Sequence, residues 1–416
     1  MADGSVPAVN EPEVLRSLES GAIHTYFQPV VSIPTRSIVG FESFSRGGNG
    51  KACLLDASAL FHRDLSPGTK VAVDRACRGC ALDQFKPIFT RHRKMLLFLN
   101  VNADILPHVE AGSDHLAEQA RKAGVAPENV VIECNMAHSD KPLLALFAEL
   151  YRAKGFRIGI DNAGVGQFHA RCITDIRPDF FKLNQTFFAE DQRTGFSGWA
   201  LENVRRIADR VGTILVAQNV ETEADSLRLL NAGVTLQQGY YYTKDDSAVG
   251  NDPARMFLGK IAYTYDKYKK TRRQQVRRRK ERFDAAFKTV ASACARLASC
   301  PEHRFEAVGA TVLRSCDHAI SLFVLDETGE QVTDRIHRHC RHDDAVDMCK
   351  LLGSEKGVDH AVQDYFLHLD MGYEKFVTPP FASPFTGEQC HLLSRPFYNK
   401  EGLRFVLCME MQAVEK

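Results

Sequence analysis

Short apolar runs recur along the first part of the chain, each ending in a polar residue suited to chemistry. They are Ile38-Val39-Gly40-Phe41 into Glu42, Leu96-Leu97-Phe98-Leu99 into Asn100, Val130-Val131-Ile132 into Glu133, Ile158-Gly159-Ile160 into Asp161, Phe180-Phe181 into Lys182, and Ile214-Leu215-Val216-Ala217 into Gln218. Successive runs lie about 20 to 60 residues apart, near the roughly 30 per strand-helix unit of a parallel barrel, where active sites sit at the carboxyl ends of the strands. The pattern predicts one mouth on which many polar side chains converge.

Between these runs the periodicity changes to that of helices, over 143–153, 199–210 and 223–230, after a short helix at 13–20 and an opening strand at Tyr26-Phe27-Gln28-Pro29-Val30-Val31. Such alternation indicates an α/β architecture with a mainly parallel sheet. From about 252 to 299 the texture becomes one long helical pattern. Leu258, Ile261, Tyr265 and Tyr268 form one apolar stripe, and Phe283, Phe287, Val290, Cys294 and Leu297 a second with the spacing of a packed helix seam. Between the stripes, 267–282 holds ten Lys or Arg and a single acid, Glu281. Such a run on a helix reads first as a solvated face; an acidic partner, nucleic acid or a membrane surface is the lesser alternative. From 304 onward the pattern is of antiparallel strands and turns, with strands over 319–325, 390–397 and 403–409.

Length and composition narrow the class. At 416 residues the chain exceeds one ordinary core, so a large and a smaller domain are expected. A net charge of +1 gives no global reason to expect nucleic-acid binding. Twelve cysteines without a repeating framework fit reduced thiols better than a disulfide scaffold. No apolar run approaches the ~18 residues of a membrane span, and Met1-Ala2-Asp3-Gly4-Ser5 does not open a signal peptide, so we expect a cytoplasmic protein without a span.

Taken in order, the strand-end segments resemble the EAL family, the cyclic di-GMP phosphodiesterase domain. The likeness runs from about Ile23 to Lys244. Tyr26-Phe27-Gln28-Pro29 is similar to the family's opening strand, and Phe41-Glu42-Ser43-Phe44-Ser45-Arg46 to its name-giving stretch. Phe98-Leu99-Asn100-Val101-Asn102, Val131-Ile132-Glu133-Cys134-Asn135-Met136 and Asp179-Phe180-Phe181-Lys182-Leu183-Asn184 are similar to the next strands. Asp161-Asn162-Ala163-Gly164 stands where the family has Asp-Asp-Phe-Gly. Ala217-Gln218-Asn219-Val220-Glu221-Thr222 and Gln237-Gln238-Gly239-Tyr240 complete the set. The resemblance implies a modified TIM (β/α)8 barrel with a cyclic dinucleotide across its mouth, followed by the long helix and a smaller α+β domain.

By the same resemblance, Glu42, Asn100, Glu133 and Asp161 match metal-ligand positions, Lys182 is the cation near the phosphate or the attacking water, and Glu221 is retained. Gln28, Glu42, Arg46, Asn100, Asp161, Lys182 and Gln238 form the implied ligand site, with Arg46 on phosphate. The departures strike the catalytic apparatus. Asn162 replaces the second aspartate, Gln218 replaces a family glutamate by an amide unable to act as a base near neutral pH, and Met136 replaces a glutamate that steadies the aspartate loop. Two divalent ions need several charged oxygens, so the second should bind poorly, and losing members of a cooperating set costs orders of magnitude in rate. The expectation is a catalytically inactive domain that needs no cofactor and binds Mg²⁺ or Ca²⁺ weakly at a vestigial site, acting as cyclic di-GMP receptor or protein-interaction regulator. A weak Mg²⁺- or Mn²⁺-dependent phosphodiesterase and a nucleotide-independent protein-binding module are the alternatives.

The expected domains are a barrel over 1–250, a connecting helix over 251–300, and a sensor domain over 301–416 that resembles PAS or Cache modules through Phe381-Ala382-Ser383-Pro384-Phe385 and Ser394-Arg395-Pro396. We expect a bacterial signalling protein with a protein partner, forming a homodimer through the helix 252–299. Arg395 is read as a surface salt bridge or, less readily, an acid-ligand contact. Cys77-Arg78-Gly79-Cys80 is read as two ordinary thiols, and His337, His339, Cys340 and His342 as a solvated loop.

Overall fold

A computed structural model describes residues 11–48, 54–108, 113–135, 141–163, 176–184, 196–243, 258–338 and 353–413. It divides into two compact units, Met1–Arg272 and Arg273–Lys416.

In the first unit the strands are β1 (Ile23–Ser32), β2 (Ser37–Gly48), β3 (Leu54–Leu55), β4 (Leu96–Val101), β5 (Val130–Asn135), β6 (Arg157–Ala163), β7 (Phe180–Leu183), β8 (Ile214–Ala217) and β9 (Leu236–Gln237). Their order is β1-β9-β8-β7-β6-β5-β4-β2-β3, and an added β1–β2 pairing closes eight of them into a barrel, with β3 as an annex on β2. Strands β2 and β4 to β9 run parallel in turn, whereas β1 is antiparallel to both of its neighbours. That reversal is the departure from a simple parallel barrel. It also corrects one detail of the strand-end pattern: Glu42 lies mid-strand in β2, opposite Gln28, because β2 continues as a hairpin arm to Gly48.

The near-continuous apolar strands follow from burial on both faces. Outward-facing Leu97, Leu99, Ile132, Ile158, Ile160, Phe181 and Leu215 pack with the surrounding helices. Inward-facing Val30, Phe98, Val131, Phe180 and Val216 form a separate plug inside the barrel. Strand side chains alternate between faces, so the residues two positions nearer the mouth share the interior. They are Gln28, Asn100, Glu133, Lys182 and Gln218. Gly40 makes room for the apolar plug beneath, since a Cβ there would lie 2.6 Å from the Leu96 carbonyl oxygen and 2.9 Å from the Phe98 ring.

In the second unit β10 (Ala319–Leu325), β11 (Ile336–His337), β12 (Phe376–Val377), β13 (Phe381–Ala382), β14 (Gln389–Tyr398) and β15 (Arg404–Gln412) form an antiparallel sheet ordered β11-β10-β15-β14-β12, with β13 on β14. One face packs on the helix Phe305–Arg314 and on Phe287, Val290, Cys294 and Leu297. The other carries Phe323, Leu325, Leu392 and Val406 against Phe366 and Leu369 of the helix Asp364–Asp370.

The long helix spans Leu258–Ala298. Its first stripe, centred on Ile261, joins the barrel's outer core, and its second joins the core of the sheet unit. The stripe with the spacing of a packed helix seam is thus buried on the chain's own sheet, because apolar residues at that spacing fit a sheet as well as a helix. Among the described residues no helix is long and apolar enough to cross a membrane.

Candidate functional site

The polar layer at the barrel mouth is tied together by one buried ammonium. Lys182, fully inaccessible, places Nζ 2.7 Å from Glu42 Oε2 and 2.6 and 2.7 Å from the two oxygens of Glu133. It also sits 5.3 Å above the Phe98 ring of the apolar plug. Asn100 Nδ2 donates to Glu42 Oε1 at 3.0 Å, and Gln238 Nε2 donates to Glu42 Oε2 at 2.6 Å and to Gln28 Oε1 at 2.8 Å. On the far side, Gln218 Nε2 donates to Asp161 Oδ1 at 2.5 Å. The fold thus brings Gln28, Glu42, Asn100, Glu133, Asp161, Lys182, Gln218 and Gln238 into one constellation.

Burial pushes the Glu42 carboxyl up, but Lys182 and the amides of Asn100 and Gln238 outweigh it and hold the group below the usual carboxylate range. For Glu133 burial wins: Lys182 pulls the other way, yet Glu42 and Asp161 add to the penalty, and the carboxyl sits well above its ordinary value. Burial also opposes the charge on Lys182, and Glu133, Glu42 and Asp161 more than offset it, leaving the amine above an ordinary lysine. One cation cannot neutralise two adjoining buried carboxylates, and that is the source of the asymmetry between them.

Asp161 completes the charge count. Three carboxylates and one ammonium leave two formal negative charges, which match one divalent ion. Oxygen donors suit a hard cation, and Asn100, by turning its amide nitrogen to Glu42, leaves its oxygen available. Gln218 does not add to this set, since its nitrogen is the atom facing Asp161. Among the described residues no three His, Cys, Asp or Glu side chains are grouped so as to hold an ion by themselves.

Backbone geometry fixes the two glutamines. Gln218 N bonds to the Leu183 carbonyl at 2.9 Å, Gln238 N to that of Ala217 at 2.8 Å, and Val220 N to that of Gln238 at 3.0 Å. This close crossing requires Gly239: its φ is +152°, and a Cβ would lie 2.3 Å from both the nitrogen and the oxygen of Val220. Asn219, at φ +56°, takes a left-handed turn that Asn tolerates. A second support comes from the helix Pro67–Arg91, whose buried Asp74, ion-paired to Arg78 at 2.5 Å, accepts the Asn102 amide at 3.1 Å and so pins the end of β4. The alternation of apolar strands pointed to the site residues, but nothing in the linear pattern singled out Gly239 or Asp74.

Other expected site residues lie elsewhere. Arg46 shares the strand face of Glu42 but stands four residues further along β2, on the order of 13 Å away, with Nη1 bonded to its own Ser45 carbonyl at 3.0 Å. Glu221 is exposed, just before the helix Glu223–Asn231. The strand β6 includes Asn162, whose side chain lies outside the description, as do Met136, Lys244, His339, Cys340 and His342 entirely. Cys77 and Cys80 are free thiols in a helix. His337 is not in a solvated loop: it is on β11 with both ring nitrogens buried. Arg395 is half-buried on the sheet face that packs on the helices, and the arginine in a buried polar cluster is Arg335.

Comparison with known proteins agrees with this architecture. The family model described as EAL domain matches residues 11–245, more than half of the chain. The uncharacterized EAL-domain containing protein YkuI of Bacillus subtilis is 21% identical over 318 residues, 75% of this chain and 77% of its own. The cyclic di-GMP phosphodiesterase RocR of Pseudomonas aeruginosa is 22% identical over 241 residues, 56% of this chain and 59% of RocR. The probable cyclic di-GMP phosphodiesterase PdeI of Escherichia coli is 27% identical over 243 residues, 56% of this chain and 30% of PdeI. The chain thus spans less than two thirds of the last two. The crystal structure of YkuI, in complex with substrate c-di-GMP and calcium, superposes with a TM-score of 0.76 at 19% identity, covering 98% of this chain and 100% of that one, which shows a shared fold.

Proposed function

The chain belongs to the EAL domain family, and from that premise we propose that its barrel is a non-hydrolytic receptor for cyclic di-GMP whose output passes to a partner protein. The observation that carries this reading is the Gln218–Asp161 hydrogen bond. An amide donating to Asp161 Oδ1 at 2.5 Å occupies that carboxylate with a built-in partner. A carboxylate at 218 would instead face Asp161 as a like charge and call for a proton or a metal between them. With Asn162 also neutral, the mouth has donors for one divalent ion, and the residues that would hold it are Glu42, Glu133, Asp161 and the Asn100 oxygen. Such an ion supplies neutralisation of a phosphodiester charge.

The chain's own residues account for binding without turnover. Lys182 is committed to Glu42 and Glu133 on both sides, so its amine orients the two carboxylates. Gln238 bridges Gln28 and Glu42 and holds the rim of the pocket in place. Arg46 is free of site carboxylates and is available for a charge-assisted phosphate contact. Among the described residues no side chain at the mouth is an unengaged base: Gln218 is an amide, Asp161 accepts from Gln218, Glu133 is locked to Lys182, and Glu42 accepts from Lys182, Asn100 and Gln238. We read the second unit as a sensor of PAS-like or Cache-like type, supported by its antiparallel sheet with helices on both faces.

The test has two arms. Isothermal titration of the full chain with cyclic di-GMP in Ca²⁺ should give saturable binding, lost or weakened at least tenfold in Arg46→Ala. Incubation with Mg²⁺ or Mn²⁺ should leave the nucleotide intact. Steady accumulation of the linear dinucleotide overturns the non-hydrolytic reading, and absence of binding in the wild type overturns the receptor.

A further inference from the structure

A buried polar cluster occupies one face of the second unit's sheet, the face that packs on the helix Asp364–Asp370. In register across β11, β10 and β15, His337, Ser321 and Glu410 form one row. Arg335 precedes His337 by two residues. Its side chain is 9% exposed, its Nη1 bonds Glu410 Oε1 at 2.7 Å, and its guanidinium lies over the rings of Phe323 (4.3 Å) and Phe385 (5.2 Å). The other Glu410 oxygen accepts from Ser321 Oγ at 2.7 Å and Ser383 Oγ at 3.4 Å.

Among the described residues, two polar groups in this cluster are left without partners. Arg335 Nε is buried with no hydrogen-bond partner there, and so are both ring nitrogens of His337, whose ring lies 4.5 Å from the same Phe385. The contrast with His360 in the same unit is informative. That ring is also buried, yet its Nδ1 meets the Tyr365 hydroxyl at 2.7 Å and its Nε2 meets Gln331 Oε1 at 3.0 Å. Burial first, and Arg335 second, hold both imidazoles far below their ordinary value, at about 4, so each is neutral at physiological pH. A neutral imidazole offers one N–H and one lone pair. The unused set beside Phe385 is therefore the Arg335 Nε–H, one imidazole N–H and one imidazole acceptor. Buried polar groups in folded proteins are overwhelmingly satisfied, and an exception points to a missing partner.

The partner's charge follows from the ion pair. Glu410 already neutralises Arg335, and His337 carries no charge, so an anion entering here would find no spare cation and a carboxylate close by. We propose that the Arg335–His337–Phe385 corner binds a small uncharged planar molecule bearing a carbonyl next to an N–H, as a nucleobase or a cyclic amide does. Its carbonyl accepts from Arg335 Nε–H, its N–H donates to the lone-pair nitrogen of His337, and its ring packs on Phe385.

The experiment is a titration of the isotope-labelled full chain, following the Arg335 Nε–Hε and His337 ring resonances. Uracil is the neutral probe and benzoate the anionic control of similar size. Uracil should move both signals saturably and benzoate neither, and His337→Phe, which keeps the ring volume, should weaken uracil at least tenfold. The proposal is overturned if uracil leaves both signals unmoved up to its solubility, if benzoate moves them with equal affinity, or if His337→Phe binds uracil as the wild type does. Should that variant not fold, the wild-type titration decides alone.

Discussion

Replacing Gln218 by Glu reverses the electrostatics of the barrel mouth at one atom pair. The amide nitrogen 2.5 Å from Asp161 Oδ1 becomes a carboxylate oxygen, so a hydrogen bond is exchanged for a like-charge contact. At about 3 Å and an effective dielectric of about 20, two unit charges repel by roughly 5 kcal/mol. The protein can evade most of that by binding a proton. Moving a glutamic acid from its ordinary value of about 4.3 to ionisation above pH 7 is equivalent to about 3.7 kcal/mol at pH 7 and about 1 kcal/mol at pH 5, and these are ceilings. Gln218 and Asp161 are both partly exposed, so screening reduces the expected loss to about 2 kcal/mol at pH 7 and about 0.5 kcal/mol at pH 5. The sign is fixed by linkage: the folded carboxyl has the raised value, so the loss is smallest below the unfolded value and grows as pH rises toward the folded one. Urea unfolding followed by fluorescence of Trp199, the single tryptophan and part of the barrel unit, reads this directly. Millimolar Mg²⁺ or Mn²⁺ should restore the variant's stability more than the wild type's, since an ion takes the proton's place between the two carboxylates. A variant as stable as wild type at pH 7, with no response to metal, would refute the account of Gln218 as a built-in substitute for a cation.

Three further outcomes are expected. Lys182→Met leaves two buried carboxylates without their cation and should destabilise the barrel by about 3–5 kcal/mol, less at pH 5 than at pH 7 because Glu133 readily takes a proton; the same unfolding curves measure it. Gly239→Ala forces a Cβ into the Val220 backbone and should shift the 218–220 crossing, with cyclic di-GMP affinity falling at least tenfold while the far-ultraviolet circular dichroism stays within a few percent of wild type, as judged by titration beside spectra. Arg46→Ala, at a half-buried position outside the Lys182 network, should change stability by no more than about 0.5 kcal/mol, so any affinity loss reports a ligand contact rather than unfolding.

Much of the barrel was legible because a strand buried on both faces leaves a run of Val, Ile, Leu and Phe that little else produces. The polar residue closing each run marked the mouth, and Asn100, Glu133, Asp161, Lys182 and Gln218 all stand there. Glu42 was found for the right reason but misplaced, since a run's end need not be a strand's end when the next residues pair in a hairpin. The second stripe of the long helix was read as a packed helix seam, and what it packs on is the chain's own sheet, for periodicity records that a face is buried and not what buries it. His337 was lost in a polar tract. The alternation in Arg335-Ile336-His337 was the available signal that a strand ran through it.

The sequence by itself determined the element types, the family and the inventory of charges, because periodicity and residue chemistry are local properties. Only the tertiary structure decided which charges meet. The placing of one ammonium between Glu42 and Glu133, of the Gln218 amide on Asp161, and of unpartnered nitrogens beside Phe385 depends on strand register and barrel closure, which join residues tens to hundreds of positions apart. Burial at those points sets each group's proton affinity, and burial is a property of the folded whole.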